Sequence, residues 1–254
     1  MKNNIQRILF ALLLLFTFGS CNDNEVKQQM VDFDRAFIPA FYYTYIGDMQ
    51  KAETAMYPVN AKWQKFKQHY NKHSYGNTEW DETIHMVNNW LEFANSTIRE
   101  KDADQALIFL DHARYELSEI RWKEGITNYY LDDIWELESS IDVIIRTSND
   151  PMIDLLEWNQ FKELCTDLEV TWQRIVKQQI DADLFQLNPN QVIDFNYRKR
   201  ILNNQIDELM TAVESADRCQ FAEAALNLEP AYLNLVIPLG NFEATETYFA
   251  LRNW

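Results

Sequence analysis

Apolar residues recur along most of this chain at steps of three and four, and alternation of apolar and polar residues is almost absent. That spacing is typical of amphipathic α-helices, in which every third or fourth side chain lies on one face. The first such stretch begins at Ile38 and reaches Tyr70. Pro39 suits a first helical turn, and Pro58 predicts a kink because the apolar phase continues beyond it. We therefore predict one long, kinked helix over this stretch.

Three further helices are predicted in the first half of the chain. They run from a Thr78 cap through Ile98, from an Asp102 cap to Gly125, and from about Tyr129 to Arg146. The chain has only five glycines and six prolines, so few residues interrupt these patterns. The predicted fold class is all-α, with up-down helical bundles.

The second half of the chain repeats the apolar pattern of the first. Adding 109 to the apolar positions between Met49 and Phe66 lands each time on an apolar residue between Trp158 and Ile175. Adding 115 does the same for the next two helices, with Lys199 as the exception, and carries Gly125 onto Gly240. We interpret this as an internal duplication of one bundle. Generic helical periodicity is the competing explanation.

The duplication predicts the domain organisation. The first copy covers residues 33–148 and the second covers residues 151–254, where the last helix is truncated because few residues follow Gly240. A bundle short of one helix leaves part of its apolar seam open. Three arrangements could close the seam: one helix shared between the halves, the two copies packed face to face, or a partner that includes a second copy of the chain.

The third predicted helix carries apolar residues on two sides. Besides its core stripe it has Ile108, Tyr115 and Trp122, each seven residues apart on the opposite side. A helix that is apolar on both sides is usually buried on both sides. The favoured interpretation is packing between the two copies, and the alternative is an exposed patch that binds another protein.

The N-terminus has the composition of a secretion signal. Lys2 and Arg7 form a short cationic region, and an apolar run from Ile8 to Phe18 comes next. The run is too short to span a bilayer comfortably but fits the core of a signal peptide. The sequence therefore predicts export from the cytoplasm.

The stretch FGSC, which ends at Cys21, resembles the lipobox of bacterial lipoproteins. The resemblance implies that the signal peptide, residues 1–20, is removed and that Cys21 is lipidated and becomes the new N-terminus. Residues 21–32 are then expected to form a polar tether. Asn22, where other lipoproteins have aspartate, implies the outer membrane of a Gram-negative bacterium by the sorting rule of that family. The alternative is an ordinary signal peptide with a chance cysteine.

Composition narrows the set of partners. The formal net charge of −16 argues against nucleic acid and against anionic lipid surfaces, and is compatible with cations or a basic protein. Cys165 and Cys219 remain after Cys21, and an exported compartment permits a disulfide between them. Their predicted heights on two helices differ, so we expect no bridge.

The histidines offer one candidate metal site. His69 and His73 are one helical turn apart, a spacing that lets two imidazoles share one ion. In an up-down bundle His85 lies near the same pole, so the three could bind Zn or Cu. A solvated helix end with chance histidines is the plainer explanation. Glu82 and His85 form a single Glu-x-x-His motif, which is too little for a di-iron centre.

No constellation for catalysis stands out in the sequence. The chain lacks the G-x-S-x-G and H-E-x-x-H motifs and any glycine-rich phosphate loop. We therefore expect a non-enzymatic, lipid-anchored envelope protein without a cofactor that binds or scaffolds another envelope protein, or forms a homodimer. The alternative function is metal binding through His69, His73 and His85.

Overall fold

The computed structural model describes residues 25–72, 78–123, 126, 129–149 and 158–252. In this part of the chain all regular structure is helical, which confirms the all-α prediction. The helices are α1 (25–45), α2 (Met49–Lys72), α3 (Thr78–Glu100), α4 (Ala103–Lys123), α5 (Tyr130–Asn149), α6 (Trp158–Lys177), α7 (Pro189–Ser215), α8 (Arg218–Val236) and α9 (Phe242–Arg252), with a 3₁₀ turn, Ile237–Leu239, before α9.

Successive helices run up and down beside one another. On α3 and α4, for example, Trp90 stacks on His112 and Phe93 packs on Phe109, so the two sequences meet in opposite order. The turns that follow α1, α3 and α7 are only two or three residues long, which favours antiparallel neighbours. Among the described residues, no helix combines the length and the apolar character needed to cross a membrane.

Helix α1 is the centre of the fold. Phe33 packs on Trp63 of α2, and Phe37 and Phe41 both pack on Trp135 of α5. The backbone carbonyl of Arg35 accepts a hydrogen bond from Asn241 N, 2.6 Å away, at the start of α9. A helix surrounded in this way must be apolar on nearly all sides, and α1 has buried residues throughout its length.

The predicted tether and the predicted first helix are both different in the structure. Residues 25–32 belong to α1, and Met30 and Val31 are buried there, so a polar tether over 21–32 is wrong from residue 25 onward. The single helix from Ile38 to Tyr70 is also wrong, because a turn at 46–48 separates α1 from α2. Gly47 adopts a φ of 75° in that turn.

The spacing of apolar residues along the sequence does not reveal this turn. Asp48 Oδ1 accepts a hydrogen bond from Lys51 N at 3.1 Å and so caps α2. Both helices present their apolar faces to one core, and the steps of three and four therefore continue across the reversal. Pro58 lies inside α2, as predicted, and does not end it.

The predicted core stripes are confirmed on the long helices. On α6, Phe161, Cys165, Leu168 and Ile175 are fully buried, and Trp172 is nearly so. Cys165 is buried, Cys219 is exposed, and both are free.

The turns after α3 and α7 share one construction. Each has a residue in the left-handed region, followed by an aspartate whose side chain accepts the backbone N–H of a glutamine three residues on. The matched residues, 115 apart, are Lys101 (φ 63°), Asp102 and Gln105 in the first turn and Ala216 (φ 55°), Asp217 and Gln220 in the second, with both cap bonds at 3.0 Å.

A hydrogen bond from a buried tryptophan to an asparagine also occurs at equivalent positions in the two halves. Trp63 Nε1 donates to Asn88 Oδ1 at 3.3 Å, and Trp172 Nε1 donates to Asn203 Oδ1 at 2.9 Å. A duplicated bundle would share such features, although the duplication itself stays a prediction. Under the predicted duplication the matched helices are α2 to α4 and α6 to α8, and α5 would correspond to α1 and not to a fourth helix of the first copy.

With this correspondence the second half would lack no helix. Helix α5 packs on both α6 and α8, so α5 to α8 form one group of four helices. The short α9, 11 residues long, follows Gly240 where we predicted a truncated last helix, but it packs on α2 of the first half and not within the second. An open seam in the second copy is therefore no reason to expect a partner.

Candidate functional site

Helix α4 presents an exposed apolar row. Ile108 is 48 % exposed, Tyr115 is 59 % exposed and Trp122 is 72 % exposed. These three residues form what we call the α4 row. They do not pack between the two halves, so the favoured sequence interpretation is wrong. The alternative, an exposed patch, matches their placement.

The opposite side of α4 explains why the row faces outward. Ala106, Leu110 and Ala113 are fully buried, and Leu117 and Ile120 nearly so, which fixes the rotation of the helix. Residues seven apart on the other side must then point away from the core. At 1.5 Å per residue the row extends about 21 Å along the bundle.

An aromatic cluster adjoins the row on the α3 side. His112 lies between Ile108 and Tyr115 on α4 and stacks on Trp90 at 4.6 Å between ring centroids. Phe93, which is 51 % exposed, packs on Phe109 at 5.4 Å. The apolar surface of α4 therefore continues onto α3. His112 is exposed.

On its other side the row borders a cleft between α4 and α5. The cleft has a volume of about 630 Å³, which is within the usual range for ligand pockets. Its wall includes Asp111, Tyr115, Asp132, Trp135 and Glu136. The two helices are joined here by long arginine side chains, and this spacing leaves room for the cleft.

Arg114 forms the base of the cleft. It is 7 % exposed and bonds to Glu138 of α5, while its Nη2 lies 2.9 Å from Asp111 Oδ1. The guanidinium carbon is 4.6 Å from the centre of the Trp135 ring and 5.1 Å from that of Phe41. Burial by itself lowers the pKa of Arg114, but the charges of Glu138 and Asp111 outweigh it and raise the pKa. The arginine is therefore a fixed cation whose charge is already shared by two carboxylates.

Carboxylates outnumber cations around the cleft. The pKa of Asp111 is raised to about 6, first by burial and also by the nearby charges of Glu138 and Asp142, against the lowering effect of Arg114 and His112. Glu136 is paired with Arg174 of α6 at 2.6 Å. Three carboxylates, one guanidinium and the imidazole of His112 line the cleft, so carboxylates are the largest group of charged side chains there.

Trp135 contributes a polar atom without a partner. The residue is 6 % exposed and lines the cleft, and its indole N–H has no hydrogen-bond partner among the described residues. A buried donor left unsatisfied costs about 1–3 kcal/mol, so such a group calls for an acceptor.

A second buried ionic group lies below the cleft. Arg121, 1 % exposed, bonds through Nε to Asp132 Oδ2 at 3.0 Å, and its Nη1 lies 3.9 Å from Asp34 of α1. The Tyr129 hydroxyl donates a hydrogen bond to Asp34 Oδ2 at 2.6 Å. Burial raises the pKa of Asp34 to about 6, against the lowering effects of Arg121 and of the Tyr129 hydrogen bond. This group joins α1, α4 and α5.

The predicted metal site is only partly within the described structure. His73 and the side chain of His69 lie outside the described residues, and His85 is exposed on α3. Among the residues that the structure describes, no group of three or more ligating side chains is placed to hold a metal ion. Zn or Cu binding by this triad stays a prediction. Cys21, the predicted lipid attachment point, and the signal peptide also lie outside the described residues.

Comparison with known proteins gives no relative. No family model matches the chain. No curated protein and no solved structure shows significant similarity to it either. The site must therefore be interpreted from its own geometry.

Sequence reasoning missed the cleft but had a signal for it. Arg114 and Arg121 are flanked at helical spacing by Leu110, Leu117 and Ile120, so both arginines lie close to the apolar face. A charged side chain there requires a buried partner. The identity of the partners on α5 could not be inferred, since it depends on how the two helices align.

Proposed function

We propose that this protein is a non-enzymatic, lipid-anchored component of the cell envelope, attached through Cys21 to the outer membrane of a Gram-negative bacterium. It binds another envelope protein through the α4 row. The observation that supports the proposal is the exposure of Ile108, Tyr115 and Trp122 on a helix whose other side is fully packed.

The residue types in the row suit a protein interface. Tryptophan and tyrosine are enriched among the residues that contribute most to binding between proteins. Each large apolar side chain that leaves water on binding contributes about 1.5–3 kcal/mol. Because Trp122 is 72 % exposed in the free protein, most of this burial free energy would be gained only on binding. The adjoining α3 aromatics extend the surface in the same direction.

The proposed anchor would place the row close to the membrane. Helix α1 is described from residue 25, four residues after Cys21, and four residues span at most about 14 Å. Helix α4 runs antiparallel to α1, so its C-terminal end, where Arg121 contacts Asp34 near the middle of α1, points toward the end at which α1 begins. The row would then run upward from the membrane, beside a partner that is attached to or embedded in the same membrane.

The anchor is tested by Cys21→Ser in the full chain, with Cys219→Ser as the control at an exposed cysteine. We expect the first variant to lose incorporated fatty acid and to leave the membrane fraction, and the control to keep both properties. Acylation and membrane retention in the Cys21 variant would contradict the proposal.

The interface is tested by photo-crosslinking in the native cell. A benzophenone amino acid replaces Tyr115 or Trp122, and as matched controls Ile193 or Tyr197 of α7, which are 68 % and 54 % exposed. We expect one adduct of constant mass from both α4 positions and none from α7. No adduct from α4, or the same adduct from both helices, would refute the role of the row.

A further inference from the structure

The cleft between α4 and α5 opens beside the row, and both share Tyr115. Tyr115 is 59 % exposed, so its ring stands at the rim, whereas Trp135 is buried in the wall. A partner that covers the row therefore also covers the mouth of the cleft. The groups that line the cleft decide which ligand can enter it.

The charge of the lining favours a cation. Asp111, Asp132 and Glu136 line the cleft together with the imidazole of His112 and one guanidinium, that of Arg114, which Glu138 and Asp111 already share. Asp132 and Glu136 have their own arginine partners, and each of those arginines is also shared, Arg121 with Asp34 and Arg174 with Asp133. Each arginine thus balances only part of the carboxylate charge around it. The net charge of −16 adds a field of the same sign and disfavours a second copy of this chain as the occupant.

The aromatic lining further restricts the kind of cation that the cleft can bind. Ring faces attract ammonium and guanidinium groups, and planar guanidinium also stacks on them. Tyr115 and Trp135 both line the cleft, and Arg114 already lies over Trp135 in this way. The free indole N–H of Trp135 requires an acceptor, which an ammonium group or a metal ion lacks. A peptide segment with a basic side chain supplies both groups, because its backbone carbonyl accepts the N–H.

We infer that the cleft receives an arginine or lysine side chain of the partner polypeptide, with a neighbouring peptide carbonyl bound to Trp135 Nε1–H. This inference rests on the proposed function, since the basic residue comes from the protein that covers the α4 row. Asp111 and Glu136 contact the cation, and Tyr115 encloses it at the rim.

The test uses the full chain in detergent, labelled with ¹⁵N so that the indole N–H signals of its eight tryptophans are observed. The Trp135 signal is assigned by its loss in Trp135→Phe. The probe is N-acetyl-L-arginine methylamide, a single arginine with both peptide groups. N-acetyl-L-citrulline methylamide has nearly the same shape without the charge, and the glutamate analogue reverses the charge.

We expect the Trp135 indole signal to shift saturably with the arginine probe, with a Kd in the millimolar range usual for so small a ligand. Citrulline should bind at least about ten-fold more weakly, a difference of about 1.4 kcal/mol. Asp111→Asn and Glu136→Gln should each weaken binding several-fold. Trp172, whose N–H is bonded to Asn203, serves as the internal reference that should not shift.

A second acidic groove supplies the control variant. The groove between α7 and α8, about 380 Å³, is lined by Asp207, Glu208 and Glu223, with no aromatic side chain among its described lining residues. Asp207→Asn should leave the arginine affinity unchanged. An equal loss with this variant would show nonspecific attraction to a negative protein and would overturn the inference.

The remaining outcomes separate this inference from the proposed function. If citrulline or the glutamate analogue shifts Trp135 as well as arginine does, or if no probe shifts it, the inference is wrong while crosslinking from Trp122 can still support the interface. If arginine binds but the α4 row yields no adduct, the basic group does not come from a partner at the row, and the inference is again overturned.

Discussion

The carboxyl group of Asp34 gives this protein a pH-dependent stability whose size can be calculated. Asp34 is 2 % exposed at the centre of the fold, and burial raises its pKa from 3.8 to about 6. The folded state therefore holds a proton over a pH range in which the unfolded chain has released it. Stability from this group is fully present below pH 3.8 and is lost as the pH rises through about 6.

The contribution of Asp34 to the free energy of unfolding depends on its pKa in the folded and in the unfolded state. A displacement from 3.8 to about 6 corresponds to about 3 kcal/mol, of which about 2 kcal/mol is lost between pH 4 and pH 7. The variant Asp34→Asn removes the titration and keeps an acceptor for the Tyr129 hydroxyl. Arg121 keeps its bonds to Asp132.

The assay is urea denaturation of the wild type and the variant at intervals between those pH values. We expect the unfolding free energy of the wild type minus that of Asp34→Asn to fall by about 2 kcal/mol as the pH rises. Asp194→Asn, which removes a partly exposed carboxylate on α7 paired with Arg198, corrects for the change in net charge. A difference that stays constant with pH, or one that rises, would refute the argument.

Three further predictions concern two helix caps, two glycines and the cysteines. Asp102→Ala and Asp217→Ala remove equivalent helix caps and should each lower the unfolding free energy by about 1 kcal/mol in urea denaturation, whereas a large effect at only one site would contradict their equivalence. Gly240→Ala should lower the unfolding free energy by about 1–3 kcal/mol, because a Cβ there would lie 2.7 Å from Phe242 Cε2 and 2.8 Å from Ile38 Cγ2. Gly47→Ala, at φ 75° with nothing within 4 Å, should cost only about 1 kcal/mol in the same measurement, and the reverse ranking would be inconsistent with the packing described. A thiol reagent at neutral pH should modify Cys219 in the folded protein but Cys165 only after unfolding, since burial raises the pKa of Cys165 to about 12, and equal rates for the two would contradict this.

The sequence by itself determined the fold class, most helix positions and most of the core. Steps of three and four identify helices without reference to the fold, because the helical period is a local property of the backbone. The residues from Phe161 to Ile175 that repeat the α2 pattern are buried as predicted. Asp102 was also recognised as a cap from its position before an apolar run.

Only the tertiary structure decided where α1 ends, what it does and which face of α4 is free. The periodicity cannot distinguish one long helix from two antiparallel helices around one core, so the turn at Gly47 was hidden. The polar residues before 33 concealed a central helix, because the ionic side chain of Asp32 bonds to Lys62 while Val31 beside it is fully buried. The exposure of Trp122 and the cleft at Trp135 depend on the spacing between α4 and α5. That spacing is set by side chains far apart in the sequence, such as Arg114 and Glu138, whose contact no local pattern encodes.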